Sequence, residues 1–140
     1  MNRPYVISVI GQSKSGKTRF IEKLIPILKE RGYKVGAIKH THHEFEIDYP
    51  GKDSYRMLKS GADCVVIFSD KKIAMIRNTN HLKNINLNEV IKWLFPDYDI
   101  ILVEGAKNQT YDKIEISSEK IPDEEEVANN IEKILKQGLI

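Results

Sequence analysis

Two spacings of apolar residues alternate along the chain and mark out its elements. Tyr5-Val6-Ile7-Ser8-Val9-Ile10 is a short, β-branched run, as expected of a strand covered on both faces. Ile21, Leu24, Ile25 and Leu28 then fall at i, i+3, i+4 and i+7, one apolar helical stripe, with Glu22, Lys23, Lys29 and Glu30 off it. Pro26 removes a hydrogen bond from that helix and predicts a kink or division near Leu24 and Ile25. Arg31-Gly32 reads as its stop, and Lys34 to Lys39 as a second strand. His40 to Gly51 is polar, histidine-rich and without period, which predicts a long loop. A helix from Lys52 to Ser60, ended by Gly61, turns Met57 and Leu58 inward.

Cys64 to Ser69 and Ile73 to Arg77 read as strands joined by Asp70-Lys71-Lys72, a hairpin that places an antiparallel strand at a sheet edge. Asn78 to Asn86 is a polar connection. Leu87 to Phe95 predicts a helix with Leu87, Val90, Ile91 and Leu94 on one face, stopped by Pro96-Asp97. Asp99-Ile100-Ile101-Leu102-Val103-Glu104-Gly105 is a buried strand flanked by acids, and Lys113 to Ser117 alternates like a half-exposed strand. Asp123 to Gln137 closes the pattern as an amphipathic helix with Val127, Ile131, Ile134 and Leu135 inward. The class is α/β.

Between the first strand and the first helix lies Gly11-Gln12-Ser13-Lys14-Ser15-Gly16-Lys17-Thr18, which satisfies G-x-x-x-x-G-K-[ST] in the context that gives the motif meaning. Gly11 and Gly16 permit unusual backbone angles and close approach. The N–H groups of residues 13 to 18 can then turn toward phosphate oxygens, helped by the positive end of the following helix. Lys17 supplies a mobile charge for the β- and γ-phosphates, and the Thr18 hydroxyl suits Mg²⁺. The expectation is a three-layer, P-loop NTPase-like fold: a mostly parallel sheet with helices on both faces and an antiparallel edge hairpin, as one nucleotide-binding domain over residues 1–140.

In such a sheet the ligand sits at the carboxyl ends of the strands, so Glu104 is expected beside the loop, holding Mg²⁺ directly or through water. The histidine-rich loop is expected at the same edge as a switch-like segment, with Asp48 or Asp53 orienting water or the metal and Pro50-Gly51 giving a turn. Asp53 or Ser54 also suits the cap of the helix that follows. A zinc site drawn from His40, His42, His43, Asp48 and Asp53 is disfavoured by spacing, because adjacent histidines diverge in extended chain and no cysteine pair completes a pattern.

Charge and composition narrow the classes. The 140 residues are 41% hydrophobic and 30% charged, with no apolar run long enough for a bilayer span or a signal peptide, which points to a cytoplasmic protein without a membrane partner. A net charge of +2 gives no case for nucleic acid. The first third is locally basic, which a phosphate ligand explains, and no aromatic residues interleave as a stacking platform requires. Lys23, Lys29 and Lys34 read as a solvated face. The single cysteine, Cys64, sits in an apolar run and reads as a buried structural thiol.

Three stretches resemble the molybdopterin-guanine dinucleotide biosynthesis protein B (MobB) family. They are Gly11 to Thr18, then Val35-Gly36-Ala37-Ile38-Lys39-His40-Thr41-His42-His43 running through Asp48-Tyr49-Pro50-Gly51-Lys52-Asp53-Ser54-Tyr55-Arg56 to Gly61-Ala62, and Leu102-Val103-Glu104-Gly105-Ala106-Lys107. The resemblance implies a GTP-binding, weakly hydrolytic homodimer. It would act as an adapter beside the molybdenum cofactor guanylyltransferase, which attaches GMP to molybdopterin. Carried over by position, Gly11 to Thr18 with Arg19 hold the phosphates and Thr18 and Glu104 the magnesium. Lys39, His40, Asp48, Lys52, Asp53 and Lys107 line the site. Ala106 stands where the family usually has an aromatic residue, and the chain ends sooner after the Lys113 to Ser117 strand than the family pattern does.

Guanine rests on that resemblance, since the chain has no Asn-Lys-x-Asp element. The rival from another class is a small-molecule kinase using ATP. It is weakened because no arginine follows Arg77 to form a lid over the phosphates. A third reading is a module that binds nucleotide without turning it over.

Overall fold

The computed structural model describes residues 3–12, 14–82, 85–106 and 110–138. Its elements, in chain order, are β1 (Tyr5–Ile10), α1 (Lys17–Glu30), β2 (Val35–Lys39), α2 (Asp53–Lys59), β3 (Cys64–Phe68), β4 (Ile73–Arg77), α3 (Leu87–Leu94), β5 (Ile100–Glu104), β6 (Asp112–Glu115) and α4 (Glu124–Gln137). By contacts the chain forms two compact units, one from His43–Val90 and the other from the chain on either side of it.

The flanking unit is built on a four-stranded sheet in the order β2-β5-β1-β6, parallel throughout. Apolar residues on successive positions of β1 and β5 fill both faces, as a parallel sheet covered on each side requires. On one face Tyr5, Ile7, Val9, Ile100 and Leu102 meet Phe20, Leu24 and Leu28 of α1 and Ala128 and Ile131 of α4. On the other face Val6, Ile101 and Gly36 lie in register side by side. A Cβ on Gly36 would stand 2.6 Å from the Phe95 ring and 2.9 Å from Ile101. Phe95, the residue after α3, therefore packs on that face, opposite the face that α1 and α4 cover.

α1 is a continuous helix with Pro26 inside it, not a divided one. Pro26 is on the exposed side, so the Glu22 carbonyl it leaves without a helical partner faces water and the loss is small. Arg31 and Gly32 end the helix as expected, with Gly32 at φ +92°. Asp123 caps α4 by accepting from the Glu126 N–H. Arg31 joins the two helices through Glu125 at 3.0 Å and Glu132 at 3.6 Å.

Tyr5 ties the first strand to the last, its hydroxyl donating to Asp112 Oδ2 at 2.6 Å. Burial first, and then that bond, push the Tyr5 phenol well above its ordinary value of 10.0. Tyr33 is pushed up to about 12 by burial and by its bond to Glu132. Both shifts favour the neutral phenol in the folded state, so their contribution is complete below pH 10 and is lost as pH rises through the folded values. Tyr5→Phe is expected to cost about 1 kcal/mol at neutral pH and to make the loss of stability above about pH 10 shallower. Urea unfolding at a series of pH values reads both effects.

The His43–Val90 unit holds α2 packed on β3, and the antiparallel β3–β4 pair. The hairpin is a two-stranded sheet of its own and not an edge of the parallel sheet. Ser69 and Lys72 close its turn, with the Ser69 N–H donating to the Lys72 carbonyl at 3.0 Å. Three readings of side-chain direction are corrected here and in α3. Met57 is 57% exposed and Leu94 is exposed too, because α2 buries no residue fully and α3 buries only Ile91. Cys64 is exposed, as the first residue of a strand in a two-stranded sheet. Among the described residues no helix is long and apolar enough to cross a membrane.

Candidate functional site

The parallel register brings the carboxyl ends of β1, β5 and β2 to one edge, pairing Val9 with Glu104 and Lys39 with Glu104. β1 runs into the phosphate loop at this edge. Gly11 leaves the strand where a Cβ would stand only 2.3 Å from the Ile116 carbonyl oxygen, so the loop turns against the end of β6. Ser15 N–H donates to the Gln12 carbonyl at 3.1 Å, Lys14 adopts φ +63°, and Gly16, at φ +104°, is the left-handed residue from which α1 starts. Phe20 N–H closes the first turn onto the Gly16 carbonyl at 2.9 Å. The N-terminus of α1 has no side-chain cap. Its N–H groups are thus left for an anion, which is the use such a terminus has.

Two side chains of α1 reach across this edge. Lys17 Nζ donates to the Gly11 carbonyl at 2.8 Å, folding the ammonium over the loop. Thr18 Oγ1 donates to Glu104 Oε1 at 3.2 Å, so the hydroxyl and carboxylate singled out for magnesium are adjacent although 86 residues apart in the chain. The Ser15 hydroxyl is buried with no hydrogen-bond partner among the described residues, a polar atom inside the cradle left for a ligand to satisfy. A phosphate-bound cation fits this donor set of one hydroxyl and one carboxylate, the oxygen ligands Mg²⁺ prefers.

Lys39 ends β2 at the same edge. His40 follows it, with its N–H on the Glu104 carbonyl at 3.2 Å and its ring edge-on to His42 at 4.8 Å. Gly105 N–H returns to the Val9 carbonyl at 3.0 Å, and Ala106 takes φ +61°. Thus Gly11, Gln12, Lys14 to Thr18, Arg19, Lys39, His40 and Glu104 gather in one unit. Ser13 and Lys107 lie outside the described residues.

Asp48, Lys52 and Asp53 belong to the other unit. Lys52 is the residue before α2 and supplies no side-chain cap, so capping by Asp53 or Ser54 is not what the structure shows. Ser54 Oγ instead donates to Asp48 Oδ2, and the Tyr49 N–H donates to Asp48 Oδ1 at 2.9 Å. Those bonds, the Ser54 one foremost, hold the Asp48 carboxyl below the ordinary carboxylate value of 3.8. Asp53 lines an open cavity of about 510 Å³ with Arg56, Met57, Ser60 and Ala62. Among the described residues no group of three or more His, Cys, Asp or Glu gathers as a metal would require.

Two neighbours of the loop had no local sign in the sequence: the Ile116 carbonyl against Gly11, and the Ile121 side chain against Gly16. Both contacts join residues about a hundred positions apart, which no periodicity reveals.

A family model described as Molybdopterin guanine dinucleotide synthesis protein B matches residues 6–136. The molybdopterin-guanine dinucleotide biosynthesis adapter protein of Escherichia coli K12 is 40% identical over 110 residues, covering 78% of this chain and 63% of that protein. Its counterpart in Haemophilus influenzae is 37% identical over 114 residues, covering 81% and 63%. The chain thus spans 63% of the length of each of these relatives. Among solved structures, a molybdopterin-guanine biosynthesis protein B superposes with a TM-score of 0.67 at 28% identity, covering 96% of this chain and 97% of that one. Bacillus subtilis MobB gives 0.66 at 27%, covering 89% and 72%.

Proposed function

The chain belongs to the molybdopterin guanine dinucleotide synthesis protein B (MobB) family, and from that premise we propose that it is a GTP-binding adapter of molybdenum cofactor biosynthesis. In this reading it works in the cytoplasm beside the molybdenum cofactor guanylyltransferase while GMP is joined to molybdopterin. The relatives matched are named as adapters of that synthesis, which leaves the ATP-dependent kinase without support.

The observation that carries the nucleotide part is the Thr18–Glu104 contact at the mouth of the loop. Magnesium, when bound, would offset charge on the β- and γ-phosphates. Thr18 and Glu104 would hold it, and Lys17 would exchange the neutral Gly11 carbonyl for a phosphate oxygen, a stronger acceptor for an ammonium. The loop N–H groups and the Ser15 hydroxyl would complete the phosphate contacts. Weak hydrolysis of the nucleotide is part of the same reading.

The homodimer is supported by the β3–β4 hairpin. Val66, Phe68, Ile73 and Met75 share one face by register and all are exposed, Phe68 at 77%. A two-stranded sheet is marginal alone, and a contiguous apolar face of this kind marks a protein contact.

Calorimetry with GTP, GDP and ATP in the presence of Mg²⁺ tests the proposal. GTP is expected to bind more tightly than ATP, and Lys17→Ala to weaken GTP by about a hundred-fold through loss of a charge-assisted contact. Tighter ATP binding would reject the guanine-nucleotide adapter. Light scattering on the same sample would remove the dimer if it returned the mass of one chain.

A further inference from the structure

The polar side chains of α2 divide into those that are tied down and those that are not. Ser54 Oγ donates to Asp48 Oδ2, and Lys59 Nζ donates to Glu46 Oε1 at 3.3 Å while lying 5.2 Å from the centre of the Tyr55 ring. Asp53, Arg56, Met57 and Ser60 fall at i, i+3, i+4 and i+7. They form one stripe of the helix, and with Ala62 they line the open cavity of about 510 Å³. Among the described residues neither the Asp53 carboxylate nor the Arg56 guanidinium makes a hydrogen bond or an ion pair.

Opposite charges at i and i+3 are neighbours on a helix surface and are placed to pair. Here both stand free over the same cavity. An acid in the first turn suits the helix dipole, and an exposed arginine is ordinary on a surface, which accounts for each residue taken alone. Neither point accounts for two unpaired opposite charges in one stripe with Met57, which is 57% exposed and adds a polarisable thioether to the same lining.

The three side chains suit a ligand with three parts. A carboxylate accepts from two parallel N–H groups, a guanidinium donates to an anion, and a thioether packs on a flat ring. A 2-amino-4-oxopteridine with an anionic substituent has all three, because its 2-amino and N3 hydrogens leave one edge side by side. The cavity has a volume ordinary for a small-molecule pocket. This inference rests on the role proposed above, in which the phosphate loop takes the nucleotide and the pterin needs a place of its own. Guanine has the same hydrogen-bonding edge, but in that reading it is already held at the loop through its phosphates. We propose that the Asp53, Arg56 and Met57 stripe of α2 is a pterin site. Asp53 accepts from the 2-amino edge, Met57 lies against the rings and Arg56 takes the anionic substituent.

Pterin-6-carboxylate is the probe, followed by its own fluorescence as the full chain is added. Lumazine-6-carboxylate, which has a carbonyl in place of the 2-amino group, is the comparison. The parent chain is expected to bind the pterin about ten-fold more tightly than the lumazine. Asp53→Asn is expected to reverse that preference, because an amide donates to the new carbonyl and still accepts from N3–H. Arg56→Met and Met57→Ala are expected to weaken the pterin about ten-fold and about five-fold, with Met57→Leu within about two-fold of the parent. A preference left unchanged by Asp53→Asn would overturn the proposal. Displacement of the probe by GMP as effectively as by unlabelled pterin would also overturn it and assign the cavity to a guanine nucleotide. GTP with Mg²⁺ is titrated into the same sample. If GTP binds and the pterin does not, the pterin site fails while the nucleotide reading stands. If the pterin binds and GTP does not, the site stands and the nucleotide reading fails. If neither binds, both fail.

Discussion

Alanine at position 11 is expected to destabilise the flanking unit by about 3 kcal/mol and to abolish nucleotide binding. Gly11 sits where β1 gives way to the phosphate loop, and a Cβ there would be 2.3 Å from the Ile116 carbonyl oxygen and 2.8 Å from Ser15 Oγ. The serine can rotate away. The carbonyl cannot, because it is backbone and the Ile116 N–H is fixed to Ile10 at 2.8 Å. Relief therefore needs the end of β6 to move off β1, which would open the loop at its first residue. Gly32→Ala is the informative control. Gly32 also has a positive φ, +92°, but nothing lies within 4 Å of its would-be Cβ, so only backbone strain of about 1 kcal/mol is expected. Urea unfolding of both variants, with GTP titration of each, separates the effects. A Gly11→Ala cost no larger than that of Gly32→Ala would mean that close approach does not constrain the loop.

The comparison also shows why some features could be read from the chain and others could not. The loop was legible because its glycines, lysine and threonine are fixed by local backbone geometry and by phosphate chemistry, both of which act over eight residues. β1, β4 and the body of β5 were legible because buried parallel or paired strands need continuous or alternating apolar runs. Pro26 misled because periodicity cannot tell that its missing hydrogen bond falls on the wet side of the helix. Met57 and Cys64 misled for a related reason. Each lies in an apolar-rich stretch, yet among the described residues of the His43–Val90 unit α2 buries no residue fully and Cys64 is exposed. Apolar character predicts a partner, and the partner of such a face can be another molecule.

Within the site, the place of Glu104 beside Thr18 was legible because parallel strands bring their carboxyl ends to one edge. The Ser54 bond to Asp48 was not, since the same serine, directly before a helical run, reads equally well as a cap. Ile121 was invisible because its position depends on the order of strands in the sheet, and no local pattern specifies that β6 lies beside β1.

The second large effect is expected at Phe20. Phe20→Ala should cost about 4 kcal/mol, within the range for removing a buried aromatic ring. Phe20 is 1% exposed and packs in the cluster that contains Ile7, Val9, Leu24 and Ile116. It therefore belongs to the cluster that joins the strand before the loop, the helix after it and the segment beside it. Its own N–H holds the Gly16 carbonyl, so the ring anchors the first turn of α1 to the sheet. A loss of this size is a large share of the roughly 5–15 kcal/mol that holds a domain together, and a measurable unfolded fraction is expected at elevated temperature. Ligand linkage supplies the discriminating readout. GTP with Mg²⁺ at about a hundred times its dissociation constant should return about 2.7 kcal/mol to any variant whose loop still binds. If Phe20 only fills the core, the variant keeps the parent's affinity and recovers by that amount. If it also positions the loop, affinity falls and recovery is smaller. Thermal unfolding with and without nucleotide distinguishes the two, and a cost below about 1 kcal/mol would show that the ring is not a keystone of this core.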